Sequence, residues 1–312
     1  MFEDIQVLLE KIQTGDKVAL GKAITLIEST LPEEQKKARR LLAELHLSQR
    51  TLCVAISGSP GVGKSTFVNV LGRHLIEKGY KIAVLAIDPS SMISRGSILG
   101  DKTRMQQLGK EARAFIRPSP TSGNLGGIGA ATFESTLLCR EAGFDFVLIE
   151  TVGIGQTEIL ARFVSDVFIL LLQPGAGDEL QSLKKGVLEY VDLLLVNKWD
   201  HDLKLEAEKT KSRYQSVWPG DQGNIYLISA LEDKGIDQVS EFLIGKLVEP
   251  EHKNALPERE RFWFIHRTKR LLMERMIEKE ATLIRELEDD ILTGDKKYSE
   301  AIEEALNRIC PI

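Results

Sequence analysis

The sequence predicts an α/β fold: one doubly wound, mostly parallel sheet with helical extensions at both ends. Two patterns carry that expectation. Between Thr51 and Leu247, short and nearly continuous Val, Ile and Leu runs alternate with helix-length segments. Parallel strands read this way when helices cover both faces of their sheet. On either side of that stretch, apolar residues recur only at helical spacing. A length of 312 residues, 43% hydrophobic and 28% charged, suits one globular α/β domain with helical additions.

Residues 1–49 form the first extension. Ile5, Leu8, Leu9 and Ile12 share a helical face, a Thr14-Gly15-Asp16 turn follows, and Val18 to Ile27 makes a second helix. Thr30-Leu31-Pro32-Glu33 has the form of a capping box, opening a helix that runs to about Leu47. Residues 50–249 hold the sheet. Its expected strands are Leu52 to Ser57, Ile82 to Ile87, Ala114 to Ile116, Phe146 to Ile149, Val167 to Leu172, Leu193 to Val196 and Ile225 to Ile228. Residues 250–312 return to helix. A long charged stretch from about Pro257 to Glu288 carries an apolar stripe of Phe262, Ile265, Leu272, Met276 and Ile284, and a short helix follows from Lys297.

Charge and composition exclude several classes of function. A formal net charge of -5 gives no electrostatic basis for a nucleic-acid partner. No apolar run approaches the roughly 20 residues that span a bilayer, so no membrane partner is expected. The opening residues Met1 to Gln6 have neither a basic start nor an apolar core, and no Arg- and Ser-rich transit character, which points to the cytoplasm. Cys53, Cys139 and Cys310 are far apart and match no metal-ligand spacing. Cys53 lies in an apolar strand and Cys139 on a helix, so both are expected in the core.

Gly58-Ser59-Pro60-Gly61-Val62-Gly63-Lys64-Ser65, followed by Thr66, fits G-x-x-x-x-G-K-[ST] between a strand and a helix. The glycines let successive backbone N–H groups face a β-phosphate, and the helix N-terminus adds partial positive charge. Lys64 is placed for the β- and γ-phosphates, and the Ser65 hydroxyl for magnesium. Asp88 and Glu150 end apolar strands, and Asp101 lies in the loop after Asp88. All three are candidate partners of the metal, at the strand ends where open α/β sheets bind ligands. Glu150-Thr151-Val152-Gly153 has the shape of D-x-x-G with Glu for Asp, and the Gly153 N–H suits a γ-phosphate. The position that carries the water-orienting Gln in Ras-type enzymes holds Ile154; Gln156 stands two residues further on. Lys64, Glu150, Gly153 and Gln156 are thus the catalytic candidates, with Arg95 and Arg104 as candidate fingers.

Asn197-Lys198-Trp199-Asp200 follows a strand and fits N-K-x-D. A carboxylate at Asp200 accepts from guanine N1–H and N2, donors that adenine lacks, so ATP leaves it unpaired. Lys198 covers the base and Asn197 braces the loops. Ser229-Ala230-Leu231, after the last strand, fits the S-A-x segment whose backbone N–H meets guanine O6.

With these elements placed, the chain resembles the MeaB/ArgK family of P-loop GTPases, which includes the methylmalonic aciduria type A protein. The shared stretches include Asp88-Pro89-Ser90-Ser91, Gly96 to Met105, Gly126-Gly127, Glu150 to Gln156 and Pro174 to Glu179. The resemblance implies a SIMIBI-like G domain and a GTP/GDP cycle with Mg2+ as cofactor. It implies no tightly bound cobalamin in the chain itself. It further implies a chaperone for an adenosylcobalamin-dependent acyl-CoA mutase, typically methylmalonyl-CoA mutase, with the cobalamin adenosyltransferase as a further partner. Homodimers joined through the C-terminal helices also follow. Residues alone read Pro174 to Gly186 as an ordinary glycine-rich loop. The resemblance makes it an additional switch, with Asp178, Glu179, Lys184 and Lys185 as its charged residues. Trp199 departs from the Ala usual in relatives. An older reading makes the family an ATP-dependent protein kinase acting on periplasmic amino-acid-binding proteins, against which Asp200 speaks. A nickel-delivery GTPase shares the domain type but needs a Cys/His cluster, and five His and three Cys form none here.

Overall fold

The computed structural model describes residues 4–46, 50–88, 105, 107–120, 128–153, 158–175, 188–218, 224–249 and 256–309. These divide into two compact units, Met1–Arg259 and Glu260–Ile312. In the first, helices α1 (Ile5–Gln13), α2 (Lys17–Glu28) and α3 (Pro32–Ala43) precede β1 (Leu52–Gly58) and α4 (Lys64–Glu77). Then come β2 (Ile82–Asp88), β3 (Ala114–Pro120), α5 (Ala130–Glu141), β4 (Phe146–Glu150), α6 (Glu158–Val164), β5 (Val167–Leu172) and β6 (Leu193–Val196). Helix α7 (Lys204–Val217), β7 (Ile225–Leu227) and α8 (Ile236–Val248) complete the sheet domain.

The strands form one 7-stranded sheet in the order β3-β2-β4-β1-β5-β6-β7, and every pairing is parallel. Described helices pack on both faces, α4 and α8 on one and α5 and α6 on the other, and β1 is buried along its whole length. Leu52, Val54 and Ile56 of β1 point to the face packed by Phe67, Val68 and Leu71 of α4 and by Val239 and Leu243 of α8. Cys53 and Ala55 point the other way. There Arg140 of α5 reaches the Cys53 Sγ at 3.4 Å. Burial raises the pKa of both Cys53 and Cys139, making them inert core thiols.

The edge strand β3 runs to Pro120, four residues beyond the Ile116 expected from sequence. Its prolines argue against a strand only if it lies inside the sheet. The Ile82 N–H donates to the Arg113 carbonyl at 2.9 Å, so the odd-numbered residues of β3 face β2 and the even-numbered ones face outward. Pro118 and Pro120 therefore sit where no ladder donor is needed, and they blunt an exposed edge.

The N-terminal helices pack on the sheet domain. Gln13 Nε2 donates to Glu141 Oε1 at 2.7 Å, and the His46 N–H donates to Glu141 Oε2 at 2.7 Å. Arg117 pairs with Glu28 at 2.5 Å. The Asp16 carboxylate caps α2 by accepting from Val18 and Ala19. The capping box expected at Thr30 does not form. Leu31 is the N-cap and makes no side-chain cap bond, because Pro32 takes the first helical position and starts α3 a residue later.

The long charged stretch from about Pro257 to Glu288 is two helices. Helix α9 (Leu256–Lys279) ends at Glu280, and α10 (Ala281–Thr293) begins there. Neither Gly nor Pro marks the break in sequence. Helix α11 (Tyr298–Ile309) folds against α10 around Leu283, Leu287 and Ala301.

At the N-terminal ends of β1 and β5, Asp166 is enclosed. Its Oδ2 accepts from the Cys53 N–H at 2.7 Å and from Arg140 Nη2 at 3.0 Å, while Oδ1 accepts from Arg259. The carboxylate is 1% exposed and the two guanidiniums 4% and 6%. Removing one partner of such a cluster strands buried charge. Asp166→Ala is therefore expected to lower unfolding free energy by about 3–5 kcal/mol, read as a shift in the urea midpoint. A loss below about 1 kcal/mol would show the cluster to be solvated.

Candidate nucleotide site

The sheet register brings the predicted motifs to one edge. Ile56 of β1 pairs with Glu150 at the end of β4, and Gly58 with Leu171 of β5. Val196 of β6 pairs with Leu172 on one side and Leu227 on the other. Gly58, Glu150, Asn197 and Ser229 therefore emerge together at the carboxyl ends of their strands. Strand order reverses there, with β4 and β5 flanking β1, which is where open α/β sheets place ligands.

The phosphate loop cannot carry side chains at two of its glycines. A Cβ on Gly58 would lie 2.5 Å from the Leu171 carbonyl oxygen, and one on Gly63 would lie 2.6 Å from Asn197 Nδ2. Gly63 also holds φ at 100°, in the left-handed region. Lys64, 8% exposed, donates to the carbonyls of Gly58 at 2.8 Å and Ser59 at 3.1 Å. Burial lowers the pKa of this ammonium, and the nearby Glu150 carboxylate opposes that shift. Phosphate oxygens are anionic, so transferring those donors to phosphate exchanges neutral acceptors for charged ones.

The Ser65 hydroxyl donates to Glu150 Oε1 at 2.6 Å. Two further hydroxyls, Ser59 Oγ and Thr151 Oγ1, are buried with no hydrogen-bond partner among the described residues. Buried unpaired hydroxyls are uncommon in folded proteins, and beside the phosphate loop these two are open to a partner from a ligand. Thr151 was not singled out in the sequence; its signal was its place directly after Glu150 at a strand end. Gly153 packs beside the loop, with its Cβ position 3.6 Å from Pro60 Cδ and 3.7 Å from the Gly58 carbonyl oxygen.

Asn197, 3% exposed, bridges the two halves of the site. Its Nδ2 donates to the Val62 carbonyl at 2.8 Å, and its Oδ1 accepts from the Ala230 N–H at 3.0 Å. Lys198 adopts φ 61°, turning the chain after β6, and the Trp199 N–H is tied to the Ile228 carbonyl at 2.9 Å. Trp199 Nε1 is buried without a partner among the described residues. Asp200 is 7% exposed and accepts a short hydrogen bond from Ser229 Oγ. Ser229 Oγ in turn accepts from the Glu232 N–H at 3.1 Å. Leu231 is exposed.

The remaining predicted residues fall outside the description. Asp88 ends β2, but its side chain lies outside the description. Asp101, Gln156, and the switch residues Asp178, Glu179, Lys184 and Lys185 lie outside the described residues altogether. Among the described residues no group of three or more His, Cys, Asp or Glu side chains could hold a metal by itself.

Residues 20–283 match the family profile described as methylmalonyl Co-A mutase-associated GTPase MeaB. A Caulobacter vibrioides protein described as a GTPase is 50% identical over 215 residues, 69% of this chain and 66% of that protein. The Mus musculus protein described as methylmalonic aciduria type A homolog, mitochondrial, is 42% identical over 246 residues, 72% of this chain and 59% of that protein. The chain thus spans about two thirds or less of the length of these two relatives. A crystal structure described as an LAO/AO transport system kinase superposes with a TM-score of 0.71 at 27% identity, over 99% of each chain.

The Asn197 bridge has a sharp test. Asn197→Asp is isosteric and keeps an oxygen for Ala230, but sets a second oxygen against the Val62 carbonyl. The expected outcome is at least tenfold weaker binding of guanine nucleotide by calorimetry, about 1.4 kcal/mol. Unchanged affinity would mean that the two loops do not depend on this contact.

Proposed function

Because the chain belongs to the MeaB family of GTPases, we propose that it hydrolyses GTP and uses that cycle to serve an adenosylcobalamin-dependent acyl-CoA mutase. Methylmalonyl-CoA mutase is the proposed partner, in keeping with the name of the matching family. The service is gating of cofactor loading and protection of the mutase, with the cobalamin adenosyltransferase as a further contact. The observation that carries the guanine reading is the anchored carboxylate of Asp200. A carboxylate has about four acceptor sites, and the Ser229 hydroxyl uses one of them. The rest suit the paired donors of guanine, and burial makes their loss with adenine costly.

At the phosphate end, the backbone N–H groups from Gly61 to Thr66 and the Lys64 ammonium bind the β- and γ-phosphates. The Ser65 hydroxyl and the Glu150 carboxylate, 2.6 Å apart, are hard oxygen donors that fit magnesium, an ion that keeps much of its water and takes few protein ligands. Asp88 and Asp101 are proposed to complete that set through water. Magnesium held by these residues would supply charge stabilisation at the phosphates. Gly153 and Gln156 are proposed to meet the γ-phosphate and the attacking water.

The stretch after β5 is proposed to report the nucleotide state to the mutase. Its base is fixed, since the Gly175 N–H donates to Thr210 Oγ1 of α7 at 3.2 Å. Exposed Phe264, Leu272, Met273 and Ile277 on α9 support a homodimer through the C-terminal helices, since exposed apolar clusters mark association surfaces. No helix among the described residues is long and apolar enough to cross a membrane, and action in the cytoplasm is proposed. Phosphotransfer to a protein, as in the kinase description of the solved relative, is the competing class; it calls for ATP.

Two measurements test this reading. GDP and GTP should bind at least a hundredfold more tightly than ADP and ATP, about 2.7 kcal/mol, and Asp200→Asn should shift preference towards xanthine nucleotides. Equal calorimetric affinity for ADP and GDP would sink the guanine assignment. Ile154 cannot hold a water, so the isolated protein should turn over slowly, on the order of 10⁻⁴ to 10⁻² s⁻¹. Single-turnover hydrolysis should accelerate on adding the mutase, and Gln156→Ala should remove the acceleration. A fast rate with no partner effect, or no change with Gln156→Ala, would refute the respective step.

A further inference from the structure

The turn that carries Ser229 and Ala230 is held from a second direction, by the phosphate-loop helix itself. Helix α4 opens with Lys64 and Ser65 and presents Arg73 and His74 near its far end. Both reach Asp233. His74 Nε2 lies 2.6 Å from Asp233 Oδ1, and Arg73 Nη2 lies 3.3 Å from Oδ2. A carboxylate only accepts, so both nitrogens act as donors. Asp233 has φ 55°, a left-handed conformation that Asp tolerates better than most residues but does not prefer. Three residues later α8 begins at the fully buried Ile236, and α8 packs on α4 through the shared core.

The turn is thus closed on itself, with Ser229 and Lys234 exchanging backbone hydrogen bonds at 3.0 Å. One side is pinned by Asn197 and Asp200, the other by α4. Arg73 also donates to Gln107 Oε1 at 3.1 Å, at the close of the segment that contains Gly96 to Met105. Beside it, Leu108 fills the space that a Cβ on Gly72 would occupy, at 2.7 Å.

We infer that Arg73 and His74 are positioning residues for base recognition: by fixing Asp233 they set the turn that presents the Ala230 N–H and the Ser229 anchor of Asp200. The inference rests on Asp200 being the guanine acceptor. None of the three side chains needs to touch nucleotide. Their effect is on where the acceptor and the N–H stand, so it falls on discrimination among bases rather than on phosphate binding. The side chains are 32%, 19% and 39% exposed for Arg73, His74 and Asp233, and half-exposed ion pairs act weakly, so a few-fold effect is expected.

The test compares GDP with IDP, whose base lacks the amine that Asp200 accepts, with ADP as a reference for phosphate binding. Asp233→Gly removes the carboxylate while allowing the left-handed backbone. It should cut the GDP-over-IDP affinity ratio three- to tenfold and leave ADP binding unchanged, and Arg73→Gln combined with His74→Gln should do the same. Asp233→Asn keeps one of the two acceptor oxygens and should give a ratio between those of Asp233→Gly and the wild type. An unchanged ratio in Asp233→Gly, or equal weakening of GDP, IDP and ADP, overturns the inference and leaves the base site standing. If the wild type itself shows no preference for GDP over ADP, the base-site reading fails first, and the inference with it.

Discussion

One side-chain amide makes the site a single object. Asn197 donates to the glycine-rich loop at Val62 and accepts from the turn at Ala230, the two segments proposed to meet phosphate and base, and it does so while almost wholly buried. Each such hydrogen bond contributes only about 0.5–1.5 kcal/mol net, but leaving a buried partner unmade costs about 1–3 kcal/mol. The geometry is therefore enforced less by attraction than by the penalty for alternatives. Gly63 fits the same constraint, since any side chain there would enter the space of the Asn197 amide. The segments proposed to meet base and phosphate lie more than a hundred residues apart, and this contact gives them a common frame.

That frame stands on a sheet whose two ends are built differently. At the amino ends, Asp166 receives a backbone N–H and two buried guanidiniums. At the carboxyl ends, the polar groups include hydroxyls with no partner among the described residues. A low-dielectric interior strengthens paired groups and penalises unpaired ones, so the first arrangement fixes the strands. The second leaves hydroxyl groups open at the proposed ligand end. The N-terminal helices strengthen the frame rather than the site, through Glu141 and Glu28.

Much of this was legible in the sequence because parallel strands buried on both faces are read from local composition. The strands from Leu52, Phe146, Val167 and Leu193 begin where their apolar runs begin. What escaped was set by neighbours. Pro118 and Pro120 look like breakers until the strand order places them on an outer edge. Thr30 looks like a cap until Pro32 fixes the start of α3 at the next residue. The break at Glu280 has no residue-level marker at all. In the site, Lys64, Ser65, Glu150, Asn197 and Asp200 could be named because each stands at a fixed offset from a strand. Thr151 and the contacts of Arg73 with Asp233 and Gln107 could not, since they depend on burial and on segments distant in sequence.

The two carboxylates at the heart of the site share a partner type that Asp166 lacks. Glu150 accepts from the Ser65 hydroxyl and Asp200 from the Ser229 hydroxyl. A guanidinium clamped on a buried carboxylate is costly to release, because separation leaves two charges unpaired. A serine hydroxyl is different. It has one donor and two acceptor sites and turns about a single bond, so it can hold a carboxylate in place and still accept from, or ligate, something new. Ser229 already does both, donating to Asp200 while accepting from Glu232. A serine hydroxyl thus orients a carboxylate through a neutral donor. This matters for the proposed function, because an acceptor for base donors and a donor set for a divalent ion each depend on retained negative charge. The same residue type at the amino ends of the strands, enclosed by arginine, is committed to stability alone.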